Sequence, residues 1–177
     1  DNGYGGEYAG FTRLTSANAG TAFVQGWEFS YSQQFTFLPG PLKGLGASGN
    51  YTILQTHGDF GGTTYLAGGQ VAGFIPRTAN ATVFWKYGRI GARLMYNYTS
   101  PYTSSYSSTN PALNLVRKTR EMYTVSLSYQ FHPVVAFSVD VENITNEPQT
   151  FYRGYGDRIY TYVRNGTTIN FGISGRF

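Results

Sequence analysis

Residues 122–131 read MYTVSLSYQF, and they alternate without a fault. Tyr123, Val125, Leu127, Tyr129 and Phe131 share one parity, while Thr124, Ser126, Ser128 and Gln130 share the other. Successive side chains of a strand point to opposite faces, so this stretch predicts a strand with one oily and one wet side. The same period recurs in WEFSYSQQFTF (27–37), GASGNYTILQT (46–56), TANATVFWKY (78–87), RIGARLMYNYT (89–99), VVAFSVDVEN (134–143) and a last segment over 159–177. Seven segments result, and almost nothing reads at helical spacing. One blemish stands out: Phe84 occupies the polar parity of its segment.

Composition says what the two faces meet. The 177 residues are 18% aromatic and only 12% charged, with 23 Gly, 16 Tyr and no Cys, against about 25% charged in an average globular domain. Mean hydropathy is nevertheless −0.29, and no run approaches the roughly 18–20 apolar residues of a spanning helix. A membrane β-barrel reconciles the two, because apolar lipid-facing and polar lumen-facing residues average out along each strand. The expected class is therefore an all-β, antiparallel transmembrane barrel segment integral to a bacterial outer membrane, with lipid as its first partner. The net charge of +4 reads as spread over loops and strands, which gives nucleic-acid binding little support. The chain begins at Asp1 with no charged or apolar leader, so any export signal lies outside it.

The connections alternate in length. PGPLKG, YGR and HP are short, whereas HGDFGGTTYLAGGQVAGFIP, SPYTSSYSSTNPALNLV and NEPQTFYRGYGD are long and rich in Gly, Ser, Pro and Tyr. Outer-membrane barrels have short periplasmic turns and longer extracellular loops. Residues 1–20 are thus expected as an extracellular loop and 21–177 as strands, with Phe177 at the periplasmic interface, closing the barrel so that no edge is left unsatisfied in lipid. Seven is odd while single-chain bacterial barrels have even counts, so at least one further strand is expected upstream.

Four stretches carry a resemblance. The terminal NFGISGRF, through Asn170, Gly172 and Phe177, resembles the C-terminal assembly signal of outer-membrane proteins, although Gly175 stands where a large apolar residue is usual. That segment together with GWEFSYSQQFTFLPGPLKGLGASGNYT, FIPRTANATVFWKYGRIGARLMYNY and VENITNEPQTFYRGYGDRIYTY is similar to the last third of a TonB-dependent outer-membrane receptor barrel. The resemblance implies a barrel of about 22 strands, a plug domain and TonB engaged through a preceding N-terminal part, recognition by the barrel-assembly machinery, and energised uptake of a scarce bulky nutrient. Ferric siderophore, cobalamin and oligosaccharide all stand open as substrate. The alternative is a small passive barrel, porin-like or a structural anchor.

Several groups compete for functional readings. In the expected outer loop TFYRGYGDR, Phe151, Tyr152, Arg153, Tyr155, Asp157 and Arg158 are candidate ligand contacts, since rings with Arg suit sugars or anionic chelates; the competing reading is girdle and loop packing. Glu28, Lys86, Arg93, Asp140 and Glu142 share the lumen parity, either guiding substrate or contacting the plug, or simply tolerated by a hydrated interior. Asn-x-Thr occurs at Asn50, Asn80, Asn97, Asn143 and Asn165, a glycosylation pattern that a polar strand face also produces on its own. His57 and Asp59 could be half of a metal or hydrolytic site, but His132, the other histidine, is expected at the opposite membrane face. No catalytic residue, metal site or cofactor is expected, and the chain is not read as an enzyme.

Overall fold

The computed structural model describes residues 5–7, 9–10, 21–59, 67–107, 110–154 and 156–175. Its strands are β1 (Thr21–Gln34), β2 (Leu45–Asp59), β3 (Ala67–Gly69), β4 (Arg77–Tyr87), β5 (Ile90–Thr99), β6 (Tyr102–Ser105), β7 (Leu115–Arg117), β8 (Arg120–His132), β9 (Val135–Glu142), β10 (Gln149–Arg153), β11 (Ile159–Val163) and β12 (Thr168–Gly175). Two short 3-10 turns, Gly40–Gly44 and Pro111–Leu113, complete the elements. The protein is all-β, and every strand pairing is antiparallel.

The main sheet runs β1-β2-β4-β5-β8-β9-β12, with β3 beside the end of β2. Each of the seven alternating segments supplies one strand of this path. Its short connections lie at one end, with Tyr87 opposite Ile90 and His132 opposite Val135 across their turns. The long connections leave from the other end. β1 and β12 are the free edges among the described residues, and the sheet is open.

Register turns the sequence alternation into two continuous faces. One face carries the rungs Ala47–Val83–Leu94–Val125–Val141–Ile169 and Leu45–Trp85–Ala92–Leu127–Val139–Phe171. Towards the long-connection end these give way to Phe29, Tyr51 and Tyr98 on one rung and Tyr31, Tyr96 and Tyr123 on the next. Towards the turn end they give way to Tyr87, Tyr129 and Phe137, with Trp85 stacked on Tyr87 at 6.2 Å and its Nε1 donating to the Pro41 carbonyl at 2.9 Å. An aliphatic band is thus bracketed by two aromatic rows. Among the described residues nothing covers it: Phe171 is 81% exposed, and no hydrophobic side chain is fully buried.

The opposite face is polar. Its rungs include Ser30–Asn50–Asn80–Asn97, in which the Asn80 amide donates to Asn50 Oδ1 at 2.9 Å. Phe84 does lie on this face, and its partner across β2 explains how: Gly46 sits directly opposite, and a Cβ there would overlap the Phe84 ring. The aromatic ring fills space that glycine leaves.

The structure corrects four expectations. The segment 159–177 is not one strand; β11 and β12 belong to different sheets, separated around Gly166 at φ +81°. Two of the three long connections are not plain loops, because 102–117 and 149–163 fold into hairpins that join side by side into a second sheet, β11-β10-β7-β6. His57 and Asp59 lie within β2, with His57 opposite Phe23, rather than in a loop. Most of the net positive charge, read as spread over loops and strands, falls in the two segments that pair through β7 and β10. Phe177, Tyr155 and most of 1–20 lie outside the described residues.

Candidate functional site

The second sheet extends the first. β5 leads into β6 across Ser100 and Pro101, β7 into β8 across Lys118 and Thr119, β9 into β10 across 143–148, and β11 into β12 across 164–167. The order β6-β7-β10-β11 repeats the order β5-β8-β9-β12. Four strands therefore cross one transverse seam and re-pair beyond it as a rim at the long-connection end.

Polar side chains pin the seam. Asn143, only 5% exposed, adopts φ +53°, a left-handed conformation that asparagine tolerates better than most residues. Its Nδ2 donates to the Gly166 carbonyl at 2.9 Å, its Oδ1 accepts from the Glu147 N–H at 2.8 Å, and its carbonyl accepts from Asn146 N–H and Thr167 Oγ1, both at 2.9 Å. One residue thereby ties the end of β9 to the start of β12. On the other side Ser100, also 5% exposed, accepts the Arg77 N–H on its Oγ at 3.0 Å and donates its own N–H to the Arg77 carbonyl at 2.9 Å. The ENITNEP stretch thus has a structural task. The amide of Asn143 is fully engaged in it, which leaves that Asn-x-Thr triplet no free acceptor nitrogen.

The rim brings together residues that the sequence reading kept apart. Arg117 faces Tyr102 on one side and Phe151 on the other. Its guanidinium carbon lies 6.0 Å and 5.8 Å from those ring centres, and Nη1 donates to Tyr102 Oη at 3.2 Å. Arg153, two residues beyond Phe151 on β10, stacks over Tyr160 at 4.0 Å. Its N–H donates to the Arg158 carbonyl at 3.0 Å, and the Gly154 N–H donates to the Asn114 carbonyl at 3.0 Å, stitching the two hairpins together. Gly154 must be glycine, since φ is +64° and a Cβ would stand 2.8 Å from the Ala112 carbonyl oxygen. The Nε atoms of Arg117, Arg120 and Arg153 are buried without a hydrogen-bond partner.

Of the six ligand-contact candidates, Phe151, Tyr152 and Arg153 lie on β10, Asp157 and Arg158 in the turn before β11, and Tyr155 falls outside the described residues. Phe151 and Arg153 share a face with Arg117, whereas Tyr152 pairs with Val116 and Ile159 on the other. Arg117, Arg120, Tyr102 and Tyr160 escaped the sequence reading. The basic run VRKTR (116–120) was the available signal, but the long loop around it hid the pairing with β10.

The charged strand residues do share the polar face. Glu28 pairs with Thr52, and Arg93 and Asp140 lie on one rung with Ser126 between them. Two strand spacings, about 10 Å, thus separate the Arg93 and Asp140 backbones. Lys86, Arg93, Ser126, Ser128, Ser138 and Asp140 line a shallow depression of about 360 Å³. Glu142 pairs with Thr124 and Thr168 nearer the seam. Among the described residues no three His, Asp or Glu side chains come close enough to hold a metal ion. Of the residues expected to form an assembly signal, Asn170 pairs with Asp140 and Gly172 with Ser138, while Phe177 lies outside the described residues. Comparison of the chain with protein-family models, curated proteins and solved structures finds no match.

Proposed function

We propose that this chain is the wall of an outer-membrane β-barrel, the C-terminal part of a TonB-dependent receptor that takes up a scarce bulky nutrient, with the rim sheet at the outer mouth. The observation that carries the membrane reading is the uncovered apolar face. A water-soluble chain of this length buries about two thirds of the surface it exposes when unfolded, yet here all seven strands carry exposed large apolar side chains on this face. Lipid satisfies it, and the aromatic rows suit the two interfaces. The rungs through Tyr96 and Ile90 are six residues apart on β5, roughly 20 Å at the strand rise of about 3.4 Å, comparable with the roughly 25 Å apolar band of such barrels. The receptor assignment rests on the sequence resemblance, and the polar face with Glu28, Lys86, Arg93, Asp140 and Glu142 is its lumen.

The edges support a larger ring. Seven antiparallel strands leave β1 and β12 running in the same direction, so these two edges cannot join antiparallel. An odd number of further strands is needed for closure. A passive barrel is the competing reading, and it shares this requirement.

Cysteine labelling of intact cells tests the orientation. Ser105→Cys and Asp157→Cys are expected to react with an impermeant reagent, whereas Leu42→Cys and His132→Cys are expected to stay silent. The reverse pattern overturns the orientation. Uptake of an iron chelate, cobalamin and a maltooligosaccharide, each with and without a protonophore, tests the receptor: transport of any one that survives the protonophore identifies a passive barrel instead.

A further inference from the structure

Most of the positive excess of the chain sits at the rim. Segments 100–119 and 143–167 carry Arg117, Lys118, Arg153, Arg158 and Arg164 against Glu147 and Asp157, a net +3 of the chain's +4. The remaining residues nearly balance, at eight basic and seven acidic. Neither segment shows this by itself; the pairing of β7 with β10 adds them together.

The guanidinium groups at its centre are held by rings rather than by carboxylates. Arg117 lies between Tyr102 and Phe151, and Arg153 lies on Tyr160. Among the described residues neither they nor Arg120 forms an ion pair, and the Nε of each is covered without an acceptor. A stacked guanidinium keeps its in-plane donors directed away from the ring. Arg153, at 4.0 Å, is stacked in this way, while Arg117 is flanked by its two rings at 6.0 Å and 5.8 Å and uses Nη1 on the Tyr102 hydroxyl. Arg117 opposes Phe151 and Arg153 follows two residues later, so the two are diagonal neighbours on one face, about 7–8 Å apart at the backbone. Like charges held this close repel, a cost that packing alone does not require.

We infer that Arg117 and Arg153 form a subsite for an oxyanion, a phosphate or carboxylate carried by a larger molecule, with Tyr102, Phe151 and Tyr160 as its aromatic floor. The site rests on the proposed orientation, in which the rim faces outward. Two sources present this chemistry there: a soluble anionic ligand entering the barrel, and the phosphates of outer-leaflet lipid. The Arg–Tyr–Phe surface is too polar for an uncharged apolar ligand.

The test is equilibrium binding of radiolabelled pyrophosphate, with citrate as competitor, to the full gene product in detergent. Saturable binding that weakens with salt is expected. Arg117→Gln and Arg153→Gln are each expected to weaken it about tenfold, the loss of one charge-assisted hydrogen bond. Arg117→Lys, which keeps charge but not the planar fork, falls between, and Arg164→Gln, whose partner is Tyr162, leaves binding unchanged. Competition by phosphorylated lipid A identifies the lipid source, and competition by citrate alone identifies the soluble one. Absence of saturable binding, or Gln variants that bind as well as the parent while keeping its gel mobility, overturns the subsite. Pyrophosphate binding without protonophore-sensitive uptake retains the subsite and removes the receptor.

Discussion

The main sheet and the rim sheet are made from the same strands, yet they are held in different ways. Below the seam, β5, β8, β9 and β12 present a continuous apolar face that finds no partner among the described residues. Above it, β6, β7, β10 and β11 keep the same order in much shorter strands, and side chains join them across strands: Arg117 to Tyr102 and Phe151, Arg153 to Tyr160. The central rim strands β7 and β10 are half-buried throughout, whereas the central wall strand β8 is exposed from Leu127 to His132; the edge strands β1, β11 and β12 are largely exposed in both sheets. The difference teaches where stability has to come from. The rim supplies its own side-chain contacts, whereas on the proposed reading the main sheet takes them from an apolar surrounding.

The largest effect expected from this contrast is on the wall. Leu127→Arg on the apolar face should cost about 2–4 kcal/mol when the protein is unfolded from bilayers, whereas Ser126→Arg, one residue away on the polar face, should cost well under half of that. Equal penalties in a denaturant titration would mean that both faces are packed alike, and the contrast would fail.

The seam comes next. Asn143→Ala leaves the Gly166 carbonyl and the Glu147 N–H without their partner and places alanine at φ +53°, a loss of about 2–3 kcal/mol. Hydrogen exchange should show this loss across 143–167 while the centre of β8 keeps its protection. Uniform loss in both sheets would show that they unfold as one unit.

Within the rim, Gly154→Ala meets both the positive φ and the Ala112 carbonyl, at about 1–2 kcal/mol. Faster proteolysis between Asn143 and Thr167 in the folded protein checks it. An unchanged cleavage rate would mean that the two hairpins do not depend on that close approach. The smallest change is Tyr102→Phe, which removes the 3.2 Å bond from Arg117 and keeps the ring. It should cost about 0.5–1 kcal/mol, read as a small shift in the same exchange profile.

Legibility in the sequence followed the source of each feature. The segments MYTVSLSYQF and TANATVFWKY were readable because alternation is local: a residue's face depends only on its parity. The short turns at Gly88 and His132 were readable for the same reason. β6, β7 and β10 were not, since strands of three to five residues are too short to show a period, and pairings such as Arg117 with Phe151 join positions 34 apart. Phe84 looked like an error in the pattern until Gly46 was found opposite. Of the candidate site, Phe151 and Arg153 could be chosen from their chemistry, but Arg117 and Tyr102 could be joined to them only through register.

From sequence alone came the strand class, the apolar and polar faces, the seven-strand count of the main sheet and the alternation of short and long connections, because each depends on neighbours one or two residues apart. Tertiary structure decided what depends on which strands meet. It split 159–177 between two sheets, built the rim from two supposed loops, placed Asn143 as the pin of the seam, and added the charges of two distant segments into one basic patch. Parity is a property of a strand by itself, whereas a cluster requires partners, and hydrogen-bonded register selects those partners.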